Sequence, residues 1–204
     1  MKTRNLLLIL SVALFFSGCV IWSFYPLYSE NDLFENDILT GNWTDGDSLQ
    51  WKFEHPESGN PKITDKKSYK LHLTDYDKKG TTYDVNIIQL QGIYFLDFYI
   101  TEIAGANSFD SNDKLNYWNL HVIPVHTFAK LKMENDTLQI NWYDGDWLQK
   151  QIEGKKIKIK YEKNNDCLLL TAKTADLQKL VVKYAHSPEA FKEGLELKLV
   201  RNRN

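Results

Sequence analysis

Apolar and polar residues alternate with a period of two along much of the chain, which places every second side chain on one face of an extended strand. Leu49, Trp51 and Phe53 share one face of a strand over 48–53, behind Leu39 to Thr44 and the turn signal Asp45-Gly46. Tyr69, Leu71 and Leu73 repeat the pattern, and Tyr83, Val85 and Ile87 repeat it again after the turn from Asp75 to Gly80. Gln91-Gly92 turns the chain into Ile93–Ile100, where nearly every residue except Asp97 is apolar, so both faces of that strand are expected to be covered. His121 to Met133 reads as a strand bent at Pro124, with Leu138–Trp142 as its hairpin partner. Lys156–Lys160 alternates as a strand, Asn164-Asn165-Asp166 turns into Cys167–Ala172, and Leu195, Leu197 and Leu199 mark a final strand. Residues 55–66 and 101–117 are polar loops, the second long enough to rim a mouth.

Helical spacing surfaces only briefly. Asp144-Gly145-Asp146 opens a short helix with Leu148 and Ile152 one turn apart. Leu177, Leu180, Val181 and Tyr184 form a single apolar stripe behind Thr174, which is expected to cap it, and Pro188 opens one further turn. About eight or nine strands with one amphipathic helix before the last predict a mostly β fold, an antiparallel barrel formed by a single domain over 39–204. This order, with Gly41-Asn42-Trp43 on the first strand, resembles the lipocalins and their Gly-x-Trp motif. The resemblance implies that Gly41 and Trp43 close one barrel end. Thr74-Asp75-Tyr76 spells that family's second motif but lies in an early hairpin. The arginine that packs on the family's Trp is expected before the helix, where Lys173 stands; Arg201 comes after it.

The N-terminal residues follow a different logic. Lys2 and Arg4 precede the apolar run Leu6–Phe16, and Ser17-Gly18-Cys19 follows at once, the order of a secretory signal ending in what resembles the bacterial lipobox. The run is shorter than the roughly 20 apolar residues that span a bilayer. The resemblance implies a leader over 1–18, acylation of Cys19 and a lipidated tether over 19–38, holding the domain to a membrane surface. No aspartate follows Cys19, which by resemblance to enterobacterial sorting favours the outer membrane of a cell envelope that has one, and the lack of an acidic run there favours its periplasmic face. Trp22 and Phe24 suit the headgroup boundary. Pro26-Leu27-Tyr28, His121-Val122-Ile123-Pro124-Val125-His126 and Leu177-Gln178 resemble segments of an uncharacterised bacterial lipoprotein family.

Charge and cysteine content narrow the function. Removing residues 1–18 takes away two cations and no acid, moving the net charge from −2 to −4. That balance argues against a nucleic-acid partner, which requires a basic face. Cys167 is the only cysteine besides Cys19; in an apolar run it reads as an inert buried thiol, and no internal disulfide forms once Cys19 is acylated.

The candidate chemistry is sparse. His121 and His126 are spaced for opposite faces of a regular strand, so core or turn hydrogen bonding is expected of them, and only a bend at Pro124 could join them in a metal site. Asp97 reads either as a pocket carboxylate or as an acceptor at the barrel rim. Lys156, Lys158 and Lys160 read either as guards of an edge strand or as a face for anionic lipid. No Gly-x-Ser-x-Gly, phosphate loop, dinucleotide fingerprint or Cys-x-x-Cys occurs, so no catalytic residue, cofactor or metal is assigned and a non-enzymatic role is expected. Two roles remain. In one, an interior lined by Trp51, Phe53, Tyr69, Phe95, Asp97 and Tyr99 holds a small apolar or amphipathic ligand. In the other, the same aromatics fill a solid core and an outer face docks a protein partner that the sequence does not identify.

Overall fold

The alternating segments fold as strands whose apolar faces turn inward around one axis. The computed structural model describes residues 20–45, 49–57, 65–74, 80–103, 123–165 and 167–202. Residues 1–19, His121, most of the 101–117 loop, and parts of the turns after Asp45 and Thr74 lie outside them. In chain order the strands are β1 (Trp22–Ser23), β2 (Gly41–Thr44), β3 (Gln50–Glu54), β4 (Tyr69–Thr74), β5 (Gly80–Leu90) and β6 (Ile93–Ile103). They continue as β7 (His126–Glu134), β8 (Thr137–Tyr143), β9 (Tyr161–Asn164), β10 (Cys167–Leu170) and β11 (Phe191–Asn202). The helices are α1 (Gly145–Glu153) and α2 (Thr174–Tyr184).

Strands β2 to β8 pair as neighbours in sequence, β11 pairs with both β8 and β2, and β6 pairs with β7, so eight antiparallel strands close into a barrel. Trp43, Phe53, Leu71, Val85, Leu96 and Leu138 belong to its buried inner core. Lys52, Glu54, Lys70, His72, Thr82 and Asp84 occupy the opposite parity of β3, β4 and β5 and face outward. Charged outside and apolar inside is the reverse of a membrane-spanning barrel, whose outer band is apolar.

A second apolar layer lies against the outer wall of the barrel. Ile88, Phe95 and Phe128 pack there against Leu148 of α1 and Leu177 and Val181 of α2. Asp144 caps α1, its carboxylate accepting from the N–H groups of Asp146 and Trp147 at 2.8 and 3.2 Å. Thr174 does not cap α2: the cap position falls on Lys173, and the Thr174 hydroxyl donates instead to Pro26 O at 2.9 Å.

Residues 20–38 differ from the expected tether. Ile21 and Leu27 are buried in the second layer, and β1 is inserted parallel to β10 and antiparallel to β7. Gln178 Nε2 donates to Leu27 O at 2.9 Å and Leu33 bridges Ile88, so the segment is part of the folded domain. Of the apolar side chains in this stretch, Ile21 and Leu27 are consumed by packing, Trp22 is half-buried, and Phe24 stays exposed. Residues 156–160 also differ: the chain there is extended but joins no sheet, and the strand begins at Tyr161. The polar loop expected from 101 starts later, because β6 continues to Ile103.

Candidate functional site

The inner face of the barrel is graded along its axis. At the end crossed by residues 33–40, Leu39, Trp43, Leu96, Leu138 and Leu199 are fully or almost fully buried. Arg201, on the last strand, stacks its guanidinium over the Trp43 ring at 4.1 Å and donates to Thr40 O and Ile38 O at 2.6 and 3.1 Å. The arginine expected before the helix therefore comes from after it. Lys173 takes no part, because the chain reaches Trp43 from the neighbouring strand in register, Arg201 opposite Trp43.

Toward the opposite end the same inner face becomes accessible. Leu73, Thr81, Tyr83, Ile100, Thr127 and Trp142 lie near the ends of β4 to β8 on that side, and all are half-buried. Their floor is aromatic. Phe98 stacks on Trp142 with centroids 5.6 Å apart, Tyr83 meets Phe98 edge-on at 6.4 Å, and Trp51 stacks on Phe53 at 6.3 Å. Burial holds the Tyr83 hydroxyl above its ordinary pKa, so it is a neutral donor at physiological pH. Trp51 Nε1 is buried and has no hydrogen-bond partner among the described residues.

The six residues expected to share one pocket divide between two faces. Trp51, Phe53 and Tyr69 are inside the barrel. Phe95 lies outside it, in the helical layer. Asp97 and Tyr99 share that outer parity, because Leu96 and Phe98 are the inner residues of β6. The run Ile93–Ile100 is apolar on both faces, so its pattern could not tell inside from outside. Tyr83, Phe98 and Trp142 were overlooked, although the alternation of β5 already placed Tyr83 on the face of Val85.

Asp97 is wholly buried, and it is not a rim acceptor. One carboxylate oxygen accepts from Leu27 N–H at 2.7 Å, and the other accepts from His126 Nδ1 at 2.7 Å. The Tyr99 ring lies 4.7 Å from that of His126. Asp97 thus pins the N-terminal segment to the barrel wall. Beside it Phe24, Tyr28, Asp84, Tyr99, Ile123 and His126 line a cleft of about 430 Å³. Burial, then the charges of Asp97 and Asp84, push the Tyr28 hydroxyl above its usual pKa against a hydrogen bond with Asn86. An aspartate–histidine pair resembles half of a nucleophile-activating triad. No serine or cysteine hydrogen-bonds His126 among the described residues.

His126 is thus turned to Asp97, and its expected companion His121 lies outside the described residues. No group of three or more His, Cys, Asp or Glu suited to a metal occurs among the described residues. No family model, curated protein or solved structure matches this chain.

Proposed function

We propose that the protein binds a small apolar or amphipathic ligand in the accessible half of the barrel and performs no chemistry on it, while an acyl chain on Cys19 holds it to the envelope membrane. The observation that carries this reading is the gradient along the inner face: sealed by Trp43 and Arg201 at one end, and half-buried and aromatic at the other. Eight-stranded barrels have room for one such molecule. Apolar walls with few polar groups are the usual lining of a ligand site, and here the polar groups are Thr81, Thr127 and the Tyr83 hydroxyl.

The test is direct. Oleic acid or a comparable amphiphile should quench or shift tryptophan emission saturably, and native mass spectrometry after gentle purification should find a cellular lipid travelling with the protein. Emission unchanged by any apolar probe, together with a ligand-free mass, would replace this reading with a solid-cored envelope scaffold.

A further inference from the structure

A groove on the far side of the helical layer carries a different signature. Residues 156–160 form one wall, and one stripe of α2, positions 176, 179, 180, 183 and 184, forms the other. Ile157 and Leu180 are buried at its floor. Five lysines rim it, Lys156, Lys158, Lys160, Lys179 and Lys183, and all five are exposed. The one acid in the lining, Asp176, is held by Lys179 at 3.0 Å. In a chain of net charge −2 this is a marked local concentration of positive charge.

The backbone supplies a second and independent feature. Ile157 N–H donates to Gln151 O at 3.2 Å, and Lys160 O accepts from Thr171 N–H at 3.0 Å. Between these anchors the peptide groups of Lys158 and Ile159 make no backbone hydrogen bond among the described residues. The segment runs straight into β9, which lies at the end of the strand order. Successive residues of an extended chain turn their peptide groups to opposite edges, so Lys158 shares the edge of Lys160, the side from which Thr171 leads into α2, and its N–H and C=O are placed to pair with a partner segment in the groove.

We propose that this groove binds an acidic, extended segment of a partner protein, which pairs with the peptide groups of Lys158 and sets its carboxylates against the lysine rim. The volume, about 450 Å³, suits a short peptide. Five extended residues span roughly 16 Å, close to the roughly 12 Å over which α2 presents its stripe. A bilayer offers neither a concave fit nor a partner for the peptide groups. Lysines that merely blunt an edge give no binding at all.

The test titrates the full chain with fluorescein-labelled Glu-Val-Glu-Val-Glu-Val, read by anisotropy, with Lys-Val-Lys-Val-Lys-Val and phosphatidylglycerol vesicles as controls. The expected result is saturable binding of the acidic peptide, slowed exchange of the Lys158 amide, and affinity that falls as salt rises. The exposed pair Lys158→Glu with Lys179→Glu should weaken the acidic peptide at least about tenfold and admit the basic one, since opposed charges set partner choice. A circular dichroism spectrum matching the parent shows that the variant is folded. Absence of saturable peptide binding, an unprotected amide at 158, an unchanged preference in the charge-swapped variant, or lysine-dependent vesicle binding in place of peptide binding would each overturn the proposal.

Discussion

The guanidinium of Arg201 lies 4.1 Å above the indole of Trp43 while its two terminal nitrogens donate to the carbonyls of Thr40 and Ile38. One side chain thereby joins the last strand, the first barrel strand and the segment that crosses the barrel end. Gly41 fits between them because a Cβ there would sit 2.9 Å from Arg201 Nη1, on a backbone with φ +121°. Trp43→Ala should cost about 3–5 kcal/mol, the range for truncating a buried aromatic. Arg201→Ala should cost about 2–3 kcal/mol, through a lost cation–π contact and two charge-assisted hydrogen bonds. Urea denaturation measures both, and a loss below about 1 kcal/mol for Trp43→Ala would mean that the end is held by other contacts.

Asp97 should be the residue on which docking of the N-terminal segment depends. Removing its carboxylate strands the buried Leu27 N–H and deprives His126 of its partner, so Asp97→Ala should cost about 1–3 kcal/mol for the stranded donor alone, and more with the contact to His126 lost. Hydrogen exchange should rise first over residues 21–33, ahead of β2 to β5. Uniform loosening of the whole barrel would show that Asp97 supports the wall and not the docked segment.

How much of this could be read in advance varies with how the two faces of each strand are covered. In β3 and β4 one face is apolar and the other carries Lys52, Glu54, Lys70 and His72, so Trp51, Phe53 and Tyr69 were assigned inward from alternation alone. In β6 the helical layer buries Phe95 on the outside while the barrel buries Leu96 and Phe98 on the inside, and a strand apolar on both faces contains no parity signal. Phe95, Asp97 and Tyr99 were therefore assigned to the wrong side. The docking of residues 20–38 was hidden for a related reason. Apolar residues near the N-terminus suit a membrane boundary and a protein core equally well, and the strand neighbours Leu169, Leu170 and Thr127 place β1 in the folded domain. Arg201 was missed because strand pairing, and not distance along the chain, brings it to Trp43.

Tyr69 provides a pH test. Its hydroxyl donates to Asn36 O at 2.7 Å, and burial, with the charge of Asp37 nearby, pushes its pKa up to about 12 against hydrogen bonds from the Leu39 and Ile38 backbone. A raised tyrosine pKa means that the folded state favours the neutral phenol. That stability is complete below the ordinary pKa near 10 and is lost as pH rises from there through about 12. Alkaline unfolding should begin above about pH 10, and Tyr69→Phe should flatten this part of the profile. An identical profile in that variant would assign the alkaline transition to other groups.

The anchor is tested separately from the domain. Cys19→Ala should abolish incorporation of labelled fatty acid and leave unprocessed precursor. Normal acyl labelling of the variant would remove Cys19 as the site of lipidation.

Trp51 links stability to binding with opposite signs. Its buried Nε1 lacks a partner, and an unsatisfied buried donor costs about 1–3 kcal/mol relative to one that is paired. Trp51→Phe removes that donor and keeps an aromatic ring, so part of the lost packing is offset, and the net change in stability should stay within about 1 kcal/mol. In the proposed ligand-bound barrel the donor would have a use. An apolar ligand bearing a carbonyl or hydroxyl acceptor could satisfy it, whereas a plain hydrocarbon could not. Trp51→Phe should therefore weaken binding of a fatty alcohol about three- to tenfold, in line with one neutral hydrogen bond, and leave binding of an alkane of equal length nearly unchanged. Isothermal titration of both ligands against the parent and the variant reads the difference. Equal losses for the two would show that the indole contributes only its area and that its N–H is not part of recognition.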